Sequence, residues 1–182
     1  MTCVVATIDG NTIQAGSDTA IGHFEEIYDM AEHKVFIRGS YLIGFCGSAR
    51  VGQILQYKVE LPAPPDEEDL TPFLVQEIVP RIRQAVEAEG SANEGRNFLG
   101  DKTVVLMGCR SQLWCILADT TVVETVPFAA IGSGRHHAYG ALHALEAAGV
   151  EPARERLEWA LGAAAEFSPM VRRPFRFYSL EA

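Results

Sequence analysis

The hydrophobic and polar positions of this chain change period several times along its length. Thr2–Ile8 is an apolar, β-branched run. Asp9-Gly10-Asn11 interrupts it and Thr12–Ala15 resumes it, so the pattern predicts a hairpin on an Asp-Gly turn. Gly16 to Ala20 leaves the second strand through small residues, with Asp18 at its end, and Ile21 to Ala31 has no clear period and reads as loop. Lys34–Ile37 and Tyr41–Cys46 predict a second strand pair around Arg38-Gly39-Ser40. From Ser48 to about Leu61 the apolar positions Val51, Ile54, Leu55 and Val59 follow helical spacing.

Pro62-Ala63-Pro64-Pro65 and the acidic run Asp66-Glu67-Glu68-Asp69 form a linker that feeds carboxylates to the next helix N-terminus, where they favour the dipole. That helix is expected from Leu70 or Thr71 to Glu89. Pro72 suits its first turn, and Pro80 predicts a kink or a break. Gly90 to Gly100 reads as a polar loop. Strands are expected at Thr103–Cys109, Gln112–Leu117 and, more weakly, Val122–Thr125. Pro127 to Ile131 leads into Gly132-Ser133-Gly134. Two helices follow, one carrying Ala138, Ala141, Leu142 and Leu145 and ending at Gly149, the other starting at Glu151-Pro152 and burying Leu157, Ala160, Leu161 and Ala164. Pro174–Leu180 is a closing strand. Strands, two helices, strands, two helices and a strand suit an α+β arrangement, an antiparallel sheet pair between helical layers. No repeat or boundary divides residues 1–182, so one domain is expected.

Composition narrows the function. The net charge of −9 argues against nucleic acid or an anionic membrane as partner. No apolar run approaches the roughly 18 residues of a membrane span, and the start lacks the basic and apolar segments of a signal peptide. The four cysteines, Cys3, Cys46, Cys109 and Cys115, have no paired spacing and read as buried thiols of a cytoplasmic protein. No cofactor is expected. His136 and His137 point apart on a helix and His143 lies off their face, so a metal is not expected either.

Candidate chemistry begins at Thr2. Initiator Met is commonly trimmed before a residue this small, which leaves Thr2 with a free α-amine beside its hydroxyl. With a pKa of about 7.7–8.0 the amine is partly neutral near pH 7 and can serve as the base for its own side chain. Asp18 ends the second strand, Lys34 starts the third and Gly47 ends the fourth. If these strands are neighbours, the four residues converge at the mouth of one sheet. Lys34 would then ease deprotonation of Thr2, Asp18 would orient Lys34, and the Gly47 N–H would meet a developing oxyanion. Ser133 would offer a hydroxyl to the amine or to a water. Each residue has an ordinary alternative: an edge-strand threonine, a solvated lysine, a turn aspartate, and a phosphate cradle at Gly132–Arg135.

Together these stretches resemble the proteasome β-subunit family of N-terminal-nucleophile hydrolases, in particular its HslV type. The resemblance runs through Thr2-Cys3-Val4-Val5-Ala6, Ala15-Gly16-Ser17-Asp18, His33-Lys34-Val35, Ile43-Gly44-Phe45-Cys46-Gly47-Ser48, Ile131-Gly132-Ser133-Gly134 and Ala138-Tyr139-Gly140-Ala141-Leu142. It implies a four-layer αββα fold and a threonine peptidase with Thr2 as nucleophile, Lys34 and Asp18 as activating pair, Ser133 supporting the amine and Gly47 the oxyanion. It also implies a polypeptide substrate, stacked homo-oligomeric rings and an ATP-driven unfoldase partner. The chain departs from the family in three places. Ile21 stands near where a hydroxyl residue aligns substrate, the loop between Lys34 and Gly44 is short, and only Glu166 or Ser168 is available where a second Asp stands beside the amine. The resemblance to the HslV type implies that removal of Met1, rather than of a propeptide, exposes Thr2. Phe45, Cys46 and Lys34 are candidates for the specificity pocket. Rival readings are an amidase or transpeptidase of the same fold, a catalytically silent ring subunit, and a nucleotide-binding module at Gly132–Arg135.

Overall fold

The computed structural model describes residues 2–23, 26–30, 33–92 and 97–181. The expected removal of Met1 and parts of the two loops expected at Ile21–Ala31 and Gly90–Gly100 lie outside the described residues.

Eleven strands are described. Two sheets face each other: β10 (Phe128–Gly132), β1 (Cys3–Asp9), β2 (Thr12–Asp18) and β11 (Phe175–Glu181) in one, and β5 (Val35–Arg38), β6 (Tyr41–Cys46), β7 (Val104–Cys109), β8 (Gln112–Ile116) and β9 (Val122–Glu124) in the other, each in that spatial order. Every pairing is antiparallel. On the outer face of the first sheet lie α4 (Arg135–Ala147) and α5 (Ala153–Phe167). On that of the second lie α1 (Ala49–Tyr57) and a longer helical run made of α2 (Thr71–Phe73), a π-helical turn (Leu74–Ile78) and α3 (Val79–Ala88). The result is the expected α+β sandwich, αββα.

Strand alternation explains the layering. Along β1, Val4 and Ala6 join Leu42, Leu106 and Ile131 between the sheets, whereas Cys3 and Val5 face Leu157, Leu161 and Ala164 of α5. Along β6, Leu42 and Cys46 point to the sheet–sheet core, and Tyr41, Ile43 and Phe45 to the helices. Both faces of each sheet are covered, so these strands read as near-continuous apolar runs.

Four expectations are corrected. Within the stretch expected to be loop, Ala20–His23 (β3) and Glu26–Asp29 (β4) pair as a separate two-stranded ribbon. Its second strand is wholly exposed, so it has no buried face to imprint a period on the sequence. Phe128–Gly132 is a strand rather than a lead-in, and pairs with β1 from Thr7 to Cys3. The helix after Ser48, which caps it by accepting the Val51 amide at 3.3 Å, ends at Tyr57 rather than Leu61. Pro80 neither breaks nor ends its helix. The π turn just before it, in which the Val79 amide bonds to the Leu74 carbonyl, takes up the register that proline disturbs. The acidic linker delivers Asp69, whose Oδ1 accepts the Thr71 amide at 2.9 Å. It is also tied down, since Arg110 donates to the carbonyls of Pro64 and Glu67.

Candidate active site

Thr2 precedes β1 and is buried, at 6% exposure. Its backbone N–H donates to Ser133 Oγ at 3.2 Å, and the Ser133 hydroxyl donates to the Thr2 carbonyl at 3.2 Å. The Gly134 amide reaches the same carbonyl at 3.3 Å. The close approach depends on Gly132, whose φ is +96° and where a Cβ would stand 2.3 Å from the Thr2 carbonyl oxygen. Gly132-Ser133-Gly134 thus clasps the first peptide of β1 from the end of β10.

Asp18 and Lys34 form an ion pair at 2.8 Å with side-chain exposures of 0% and 2%. Lys34 Nζ also donates to the Ala20 carbonyl at 2.5 Å. Asp18 Oδ1 accepts a second hydrogen bond, from the Cys3 amide at 2.9 Å, so the carboxylate pins the residue bonded directly to Thr2. Burial pushes the Lys34 pKa down while Asp18 pulls it back up. Burial, with Asp18 adding to it, raises the Cys3 thiol to about 12, so Cys3 is no thiolate nucleophile. Asp18 Oδ2 is buried and has no hydrogen-bond partner among the described residues.

The convergence expected at the mouth of one sheet is instead a convergence between two. Thr2 and Asp18 come from β1 and β2, whereas Lys34 precedes β5 and Gly47 follows β6 in the facing sheet. Gly47 has φ +89°, and a Cβ there would lie 2.6 Å from the Thr103 backbone. The Thr103 hydroxyl accepts the Ser48 amide at 3.1 Å, closing the turn after β6. Thr103 stands behind the Gly47 turn without a local signal for that placement, because a buried threonine at the head of an apolar strand looks like core.

Thr2, Gly47, Gly132 and Ser133 line one cleft of about 990 Å3. Cys46 lines it too. Phe45 does not, since its ring lies against Gly52 on the helical side, and Lys34 is sealed in its ion pair. Glu166 is exposed on α5 and makes no hydrogen bond or ion pair among the described residues. Ser168 is buried, accepts the Met170 amide at 3.4 Å, and falls in sequence between Ala164 and Val171, which both pack around Gly134. No group of described His, Cys, Asp and Glu residues is suited to a metal, and no described helix is long and apolar enough to cross a membrane.

Several solved structures share this architecture. BPH from Thiobacillus denitrificans, in complex with epoxomicin, matches with a TM-score of 0.81 at 22% identity over 98% of each chain. HslV from Trypanosoma brucei matches at 0.71 and 17% identity over 99% of each. Anbu from Yersinia bercovieri, an ancestral β-subunit, matches at 0.70 and 12% identity, covering 100% of this chain and 82% of the other. This chain has the HslV-like fold. No protein-family model and no curated protein matches the sequence. In this HslV-like fold the head of β1 and the ends of β2, β6 and β10 meet at the mouth between the sheets, where Thr2 stands.

Proposed function

We propose that this chain is a threonine peptidase of the HslV-like type, acting from Thr2 after removal of Met1. The observation that carries the reading is the placement of Thr2: at the cleft wall, its backbone held by Ser133, Gly134 and, through Cys3, by the Asp18–Lys34 pair. In this mechanism the free amine of Thr2 takes the proton of its own hydroxyl and the oxygen attacks a peptide carbonyl. The Gly47 N–H receives the oxyanion, and the proton passes to the departing amine. Water, activated by the same amine, then releases the acyl group. Lys34 supplies positive potential behind the nucleophile, and Asp18 holds Lys34 in place. Ser133 keeps the amine oriented. Glu166 takes no part, and Ser168 supports the turn around Gly134 from behind. Polypeptide is the substrate. A homo-oligomeric ring, an ATP-driven unfoldase partner and a cytoplasmic setting complete the proposal, supported by the likeness to HslV.

The test is intact mass after incubation with an epoxyketone. The expected result is loss of one Met and a single adduct on Thr2, with no adduct and no peptide turnover in Thr2→Ala. Retained Met1 with an unlabelled Thr2 would overturn the peptidase reading in favour of a silent ring subunit.

A further inference from the structure

The cleft extends beyond the groups that the chemistry uses. From Thr2 it runs between the sheets past Cys46, Val104, Cys115, Leu117 and Val123, an apolar floor whose last two side chains are exposed. Two cations from different elements line the same cleft: Lys102, in the turn before β7, and Arg135, the first residue of α4. Both are exposed, and neither forms an ion pair among the described residues. Arg135 is anchored by donating to the Gly132 carbonyl at 3.1 Å, and the Lys102 backbone is set by φ +67° against the Gly47 turn. Of the acidic groups nearby, one lines the cleft and one is turned away. Asp101 lines the cleft beside Lys102 and accepts Asn97 Nδ2 at 2.5 Å, which keeps its negative charge, so the lining carries two cations against one anion. Glu124 alternates between Val123 and Thr125, which line the cleft, and so faces the other side of β9. In a chain of net charge −9, a cleft lined by two cations and one anion beside an apolar groove is a local reversal of sign.

Resting on the peptidase reading, we infer that the cleft selects peptides that place an apolar side chain on the Cys115–Leu117–Val123 floor and a carboxylate against Lys102 and Arg135. The apolar part supplies affinity through burial, and the cations supply selectivity by charge. The carboxylate is either an acidic side chain or the free C-terminus of the peptide.

Binding to the Thr2→Ala protein tests this without depending on turnover. The probes are fluorescein-labelled Leu/Ala hexapeptides read by anisotropy. One set carries Glu, Gln or Lys at one position with an amidated C-terminus, and another carries no charged side chain and ends in either a carboxylate or an amide. The expected result is about fivefold tighter binding of a carboxylate peptide than of its neutral counterpart, with Lys weakest and the preference shrinking as salt is added. The set that shows the preference identifies the source of the carboxylate. Lys102→Glu with Arg135→Glu should reverse the order, while the neutral exchanges Lys102→Gln and Arg135→Gln should flatten it. Equal binding of all peptides, or an order unchanged by charge reversal, overturns the inference. Failure of epoxyketone labelling in the unsubstituted chain strikes the peptidase reading alone, since this binding order is read separately.

Discussion

Thr103→Val keeps the shape of the side chain and removes the hydroxyl that accepts the Ser48 amide at 3.1 Å. Because that bond closes the turn presenting the Gly47 N–H, the proposed mechanism expects kcat to fall about tenfold or more with KM little changed, and Thr103→Ser to restore most of the rate. Peptide kinetics on the three proteins check it. A purely structural threonine would lower stability without that split between kcat and KM. Of the residues expected at the site, Thr2, Asp18, Lys34, Gly47 and Ser133 stand out in the sequence because each is a polar or glycine residue at the end of an apolar run. Thr103 does not, since nothing local distinguishes a threonine that bonds a distant turn from one that simply packs. The second role of Asp18, holding the Cys3 amide, was equally invisible, because it exists only when β1 and β2 pair in their observed register.

Helix α5 carries the clearest mechanical load among the elements. Leu157, Ala160, Leu161 and Ala164 are fully buried against β1 and β2, and Leu161 Cδ1 lies 3.1 Å from the place a Gly16 Cβ would take. Leu161→Ala should therefore cost about 2–5 kcal/mol, read as a lower midpoint in urea. A cost below about 1 kcal/mol would mean that the helix is a loosely held flap. The helical stripe was readable because its period is set by one buried face. The β3–β4 ribbon and β10 were not. The first has no buried strand face on its outer strand, and the second is a five-residue stretch after a proline, whose identity as a strand comes from its partner β1.

For the molecule as a whole, titration of buried groups makes alkaline pH destabilising. Burial raises the Cys3 thiol from 9.0 to about 12 and the Cys115 thiol from 9.0 to about 11, and raises the Tyr41 phenol from 10.0 to about 12. The unfolded chain releases these protons first, so their stabilisation is whole below pH 9.0 and is lost as pH climbs toward 11 and 12. Lys34 is lowered by burial despite the opposing pull of Asp18. Its sign is opposite, since the folded chain sheds that proton first. Burial also raises Cys46, Cys109 and Tyr139, so with six groups against Lys34, urea unfolding at about pH 8 and about pH 10.5 should show lower stability at the higher pH. A flat profile would show that these thiols reach solvent.

What the sequence determined by itself was the layered α+β architecture and the kinds of residue that stand at the strand ends, because periodicity and turn chemistry are local properties of a chain. What only the tertiary structure decided was that those ends belong to two facing sheets rather than one, that Gly132 and Gly47 hold backbones within contact of Thr2 and Thr103, and that Lys102 and Arg135 share a cleft. These are meetings of segments far apart in the chain. They are set by how the apolar faces of the layers stack, which no single stretch of sequence records.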